Sequence, residues 1–141
     1  LRQKGITLIE LLVALTILAF ISAVVVVNIL PERDKAAVRK AGIDIKQIEA
    51  ALDQYRLDMG AYPTTQQGLE ALVRVPSNAR RKDQYRPGGY LREVPRDPWD
   101  SPYQYRYVAR DGRVDVFSLG ADGEPGGEGL DADILNRATS S

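Results

Sequence analysis

The sequence predicts an α+β protein: a long N-terminal α-helix packed on a small antiparallel β-sheet, with a short extra helix and an acidic glycine-rich loop near the C-terminus. Three observations carry this. Residues 6–30 are almost unbroken apolar sequence, Val38 to Met59 repeat apolar residues at alternating spacings of three and four, and Tyr103 to Val116 alternate about an Asp-Gly pair.

The first segment, ITLIELLVALTILAFISAVVVVNIL, interrupts its apolar character chiefly at Glu10 and Asn28. As a helix it would extend about 37 Å at about 1.5 Å per residue, against about 30 Å of bilayer hydrocarbon. It is therefore predicted to cross a membrane. Arg2 and Lys4 precede it, and basic flanks stay on the cytoplasmic side, which places the rest of the chain outside the cytoplasm. A secretory signal is the competing reading, but its apolar region is shorter and ends at a small-residue cleavage site. Glu10 stands out, because a carboxylate at mid-bilayer costs about 2.5–3.5 kcal/mol. Either it lies near enough to the interface to stay hydrated, or a partner compensates it.

Beyond Pro31 the stripe Val38, Ala41, Ile45, Ile48, Leu52, Tyr55 and Met59 marks one apolar face of a helix, with charged residues on the others. The stripe is short for a coiled-coil seam and suits packing on the protein's own sheet. Gly60 and Tyr62-Pro63 stop it. A shorter helix is expected next, with Thr64 as N-cap, Gln67 as its capping-box partner, and an end near Val75 before Pro76. Ser77 to Pro98 has no period and reads as loop, with Gly88-Gly89 and Asp97-Pro98 as turns and Trp99 expected to cap the core. Tyr103, Tyr105 and Tyr107, a turn near Asp111-Gly112, then Val114 and Val116, read as a β-hairpin. A tyrosine stripe is also suited to a sugar, but cross-strand packing is the commoner use.

Nineteen basic residues balance nineteen acidic ones, so no global field recruits nucleic acid. The chain has no Cys and no His, which removes thiol and imidazole nucleophiles, bases and soft-metal ligands. The carboxylates of the second half gather in one loop rather than on converging elements, so a membrane-tethered enzyme is disfavoured. That loop, Ser118 to Asp133, mixes carboxylates with glycines, and a hard cation such as calcium wants carboxylate and carbonyl oxygens together. It lacks the EF-hand spacing, and composition alone is equally that of a solvated acidic loop. Charge is uneven locally: Arg74 to Arg96 hold seven basic and two acidic residues, Asp111 to Asp133 seven acidic and one basic. Neighbouring heads are thereby suited to meet basic face to acidic face, though an ordinary solvated surface would look the same.

The string Lys4-Gly5-Ile6-Thr7-Leu8-Ile9-Glu10 resembles the type IV prepilin signature, a basic leader and Gly followed by a hydrophobic residue, Thr, Leu, Ile and Glu. The order AYPTTQQGLEALV, GYLREVPRDPWDSPYQY, DVFSLGADGEPGGEGLDADI resembles the major pseudopilins of type II secretion systems from end to end. The resemblance implies a type IV pilin-like fold, with residues 1–5 the remnant of a prepilin leader, 6–30 a transmembrane and filament-core helix, and 31–141 a periplasmic head. It implies cleavage after Gly5 by a prepilin peptidase and N-methylation of Ile6, whose position is usually Phe in the family. Glu10 would then pair with the Ile6 amine of a neighbouring subunit. The helix-kinking Pro usual deep in the apolar segment is replaced here by the run Val24 to Val27.

The resemblance also implies a calcium ion in the C-terminal loop, held by Asp122, Asp131 and Asp133 with carbonyls near Leu119 and Glu124. The function implied is structural: self-assembly into a periplasmic pseudopilus that drives folded proteins through the outer membrane. Its partners would be minor pseudopilins, the inner-membrane assembly platform with its ATPase, and indirectly the outer-membrane secretin. A type IV pilin for adhesion or motility is the alternative, weakened by the missing C-terminal Cys pair.

Overall fold

The computed structural model describes residues 5–136, with residues 24–31 described by backbone alone. Residues 1–4, including Arg2 and Lys4, lie outside the described residues, as do the side chains of the valine run. The chain divides into two units, residues 1–36 and 37–141, and each is taken by itself.

Helix α1 runs Leu8–Met59, its assignment continuing through Pro31. In the second unit its apolar stripe becomes the core: Ala41, Ile45, Ile48, Leu52 and Tyr55 are buried together with Leu69, Leu72, Tyr103 and Val116. The expected stripe is right at its centre and wrong at one end, since Val38 is 38% exposed, whereas Met59 packs at the core's edge. The helix stops where Gly60 adopts φ +84°, a left-handed conformation that residues with a Cβ resist, while its N–H closes on the Arg56 carbonyl at 2.8 Å.

The short helix after Pro63 is half as predicted. Thr64 and Gln67 exchange the two capping-box bonds, Thr64 N–H to Gln67 Oε1 at 2.9 Å and Gln67 N–H to Thr64 Oγ1 at 3.2 Å. The α-helix they should start does not continue. Gly68 at φ +62° breaks it, leaving only the 3₁₀ turn Leu69–Leu72. That turn still buries Leu69 and Leu72 and lends its Leu72 carbonyl to the N–H groups of Tyr90 and Leu91.

The hairpin forms from β1 Gln104–Val108 and β2 Arg113–Ser118, in a register that sets Tyr105 opposite Val116 and Tyr107 opposite Val114. A third strand, β3 Ile134–Leu135, pairs antiparallel with β2, giving the order β1-β2-β3. Asn136 fastens this end, its Nδ2 donating to Glu49 Oε1 on the helix at 2.6 Å. Tyr103 and Tyr105 are packing residues. Tyr103 is 5% exposed with its hydroxyl donating to buried Asp44 at 2.8 Å, and Tyr105 donates to the Pro63 carbonyl at 2.7 Å. Trp99 does not cap the core, contrary to expectation. It stays half-buried in the turn after Arg96, and the buried residue there is Asp97.

Candidate functional site

Two regions carry the chemistry expected from the sequence, one in each unit. In the first, Gly5 and Ile6 precede the helix in irregular, exposed backbone, and a Cβ at Gly5 would meet nothing within 4 Å. Thr7 is the N-cap. Its Oγ1 accepts the Glu10 N–H at 3.3 Å, and Glu10 Oε2 accepts the Thr7 N–H at 3.1 Å. This reciprocal capping box satisfies two backbone donors that a helix start otherwise leaves open, and it places the carboxylate at the positive end of the helix dipole. The Thr-x-x-Glu spacing was the available signal for Thr7.

Beyond Glu10, residues 11–23 of this helix are apolar on every face apart from two hydroxyls. Ile6, Leu8, Ile9, Leu11, Leu12, Leu15, Leu18 and Phe20 are each more than half exposed. The polar exceptions Thr16 and Ser22 spend their hydroxyls on helix carbonyls four residues back, each at 2.8 Å. A helix that is apolar on every face and hides its hydroxyls suits non-aqueous surroundings, lipid or other helices. Among the described residues no helix is long and apolar enough to cross a membrane. The predicted span 6–30 depends in part on residues 24–30, whose side chains lie outside the description.

The second region is the acidic glycine loop between β2 and β3. Its arms are clipped where the Ala121 N–H donates to the Leu130 carbonyl at 2.9 Å. Gly120, at φ +74°, and Gly127, at φ +87°, lie so close to the Asp131 backbone that an added Cβ would sit 2.8 and 2.5 Å from its carbonyl oxygen. The loop closes this tightly because those positions have no side chain. Leu119 is half-buried just past β2, while Asp122 and Glu124 share an exposed turn in which Asp122 Oδ1 accepts the Glu124 N–H at 3.0 Å. Asp131 is exposed in the 3₁₀ turn Gly129–Asp131. Asp133 is half-buried, and its Oδ1 is buried with no hydrogen-bond partner among the described residues.

The fold therefore brings the Leu119–Asp122 arm against the Leu130–Asp133 arm. Among the described residues it gathers no group of three or more His, Cys, Asp or Glu that could hold a metal ion, so Asp122, Asp131 and Asp133 do not converge on one point. The donors present are all oxygens, one buried carboxylate oxygen lacks a partner among the described residues, and the glycines expose backbone. That combination fits a hard cation whose ligands are shared between carboxylate and carbonyl. One contributor escaped the sequence reading. Asp97, which the sequence marks only as part of a turn, is buried and accepts a hydrogen bond from Ser118, the loop's first residue.

Comparison with known proteins joins both regions. Residues 1–26 match the prokaryotic N-terminal methylation motif, and residues 28–137 match Type II secretion system (T2SS), protein G. The chain is 50% identical to the Type II secretion system core protein G of Vibrio cholerae over 96% of this chain and 92% of that one. It is 49% identical to the Pseudomonas aeruginosa protein of that name, over 96% and 95%. The crystal structure of the major pseudopilin from the type 2 secretion system of enterohaemorrhagic Escherichia coli superposes with a TM-score of 0.65 at 42% identity, over 77% of this chain and 93% of that one. The solved pseudopilin shares the fold described above over most of the chain, and the relatives' names favour the pseudopilin reading over the adhesion or motility pilin. The chain belongs to the type II secretion system protein G family.

Proposed function

We propose that this chain is a structural subunit that polymerises into the periplasmic pseudopilus of a type II secretion system and does no catalysis of its own. The observation that carries the reading is the exposed helical stretch of residues 8–23, apolar on all faces apart from a single carboxylate fixed in its first turn. Apolar surface of that extent needs a cover, and a bundle of identical helices or a bilayer supplies one. The subunit is stored in the inner membrane as a single pass with its head in the periplasm, after a prepilin peptidase cuts behind Gly5 and Ile6 is N-methylated.

In the filament, Glu10 pairs with the freed amine of Ile6 on a neighbour. Two opposite charges in a low-dielectric bundle offset each other's desolvation only when subunits are in register, so a slipped subunit buries both unpaired. Force comes from the assembly platform and its ATPase, with minor pseudopilins at the tip and the secretin beyond. In the head, calcium would be held by Asp122, Asp131 and Asp133 with backbone oxygens of Leu119 and Glu124. When bound, the ion supplies a cross-link that neutralises the loop's carboxylates. The partnerless Asp133 oxygen supports this assignment. Mass spectrometry of the mature N-terminus tests the processing step: the expected product begins at methylated Ile6, and a mature chain that retains Gly5 refutes it.

A further inference from the structure

The deepest polar cluster in the head lies beside the candidate cation loop rather than in it. Asp97 is 4% exposed, and Ser118, the last residue of β2, is fully buried. A carboxylate in such a place is costly unless its oxygens are bonded. Here they are. Asp97 Oδ1 accepts the Trp99 N–H at 3.1 Å and the Ser101 N–H at 2.7 Å, while Oδ2 accepts the Ser118 hydroxyl at 2.7 Å. Ser118 Oγ then accepts the Gly120 N–H at 3.2 Å. The proton order is fixed, because a carboxylate only accepts, so Ser118 must donate to it and keeps its lone pairs for Gly120.

We propose that Asp97 is the positioning residue of the acidic glycine loop: through Ser118 it locks the Gly120 amide, and so holds the Leu119 peptide between two anchored neighbours. The next residue, Ala121, closes the loop on Leu130, so the lock sits at the loop's mouth. Gly120 is itself buried against the Asp131 backbone, which carries the constraint to the other arm. The turn 96–102 thereby sets the geometry in which the Leu119 carbonyl is offered to a cation. The cation part rests on the calcium reading above; the lock does not.

Asp97→Asn tests it with little change of shape. The amide oxygen can keep the Trp99 and Ser101 bonds, but the NH2 faces Ser118 and forces its hydroxyl to accept, orphaning that O–H in a buried site. Ser118→Ala removes the relay and leaves the two backbone bonds of Asp97 in place, so it serves if Asp97→Asn does not fold. Ile48→Val, in the helix core, is the control for general destabilisation. On the full chain in detergent, amide exchange at Gly120 and Ala121 should accelerate roughly tenfold in either loop variant relative to the control, the effect of losing one buried bond. Calcium affinity measured by calorimetry should weaken by a similar factor in the loop variants only. Exchange at Gly120 and Ala121 no faster than in Ile48→Val overturns the proposal. Accelerated exchange in a chain whose wild type takes up no calcium supports the lock and refutes the cation reading.

Discussion

Gly120→Ala gives a quantitative test of the loop as described. The residue sits at φ +74°, where a Cβ costs about 1–2 kcal/mol. That Cβ would also lie 2.8 Å from the Ala132 oxygen and from the Asp131 carbonyl carbon and oxygen. All three are backbone atoms that no side-chain rotation can clear, and forced shifts of this kind cost about 1–3 kcal/mol. The smaller conformational freedom of Ala in the unfolded chain gives back at most about 1 kcal/mol. The net loss is about 1–4 kcal/mol, which for a head of this size lowers the melting temperature by roughly 5–20 °C. Gly126→Ala is the internal control. Its φ of +89° carries the same conformational penalty, but nothing lies within 4 Å of the added atom. It should cost only about 1 kcal/mol, or roughly 5 °C. Thermal unfolding followed by circular dichroism on both variants decides. Equal melting temperatures would refute the close approach of Gly120 to the second arm.

Other consequences follow from the head's polar groups. Burial pushes the Tyr85 hydroxyl up to about 12, with Tyr90 and Tyr55 adding to the effect, and burial also raises Tyr103 and Tyr105. Free tyrosine ionises near 10, so the unfolded chain releases these protons first. Stability is then full below about pH 10 and falls as pH rises from about 10 toward 12, and Tyr85→Phe should flatten that fall in melts taken across the range. Tyr103→Phe removes a donor from Asp44, which is 8% exposed and keeps only Lys40 at 2.5 Å among the described side chains. The loss should be about 1–3 kcal/mol by denaturant titration, and no change would show Asp44 to be satisfied elsewhere. Adding a calcium chelator should lower the head's melting temperature and loosen β3. A melt indifferent to chelator contradicts the cation reading.

Much of this was legible in the sequence where one period or one motif governs. The stripe Ala41 to Tyr55 faces the core because helix periodicity leaves it no other place, and the Tyr105–Val116 pairing follows from alternation about Asp111-Gly112. Where two local signals compete, the sequence was ambiguous. Thr64 and Gln67 form their capping box, yet Gly68 four residues after Thr64 ends the helix before it is one, because a left-handed residue was needed there. Trp99 looked like core from its size, but the Asp97 bonds set the turn and leave the indole half-buried. Asp97 itself was invisible as an anchor, since its partner Ser118 lies 21 residues away and only the tertiary fold makes them neighbours. At the N-terminus the sequence offers Glu10 two settings, a hydrated place near the interface or a compensating partner on a neighbouring subunit. The structure adds that Thr7 holds the same carboxylate within the subunit. Thr7 uses only Oε2, so in the proposed filament Oε1 is left to accept from the neighbour's Ile6 amine.

In the proposed function, a charge in the first turn sets the register of a polymer. Electron microscopy of filaments from cells expressing the full set of assembly partners tests this most directly, comparing wild type with Glu10→Ala. The account predicts thin filaments from the wild type and none from the variant, with both chains recovered in equal amount in the inner membrane. Filaments of equal number and length from Glu10→Ala would contradict it.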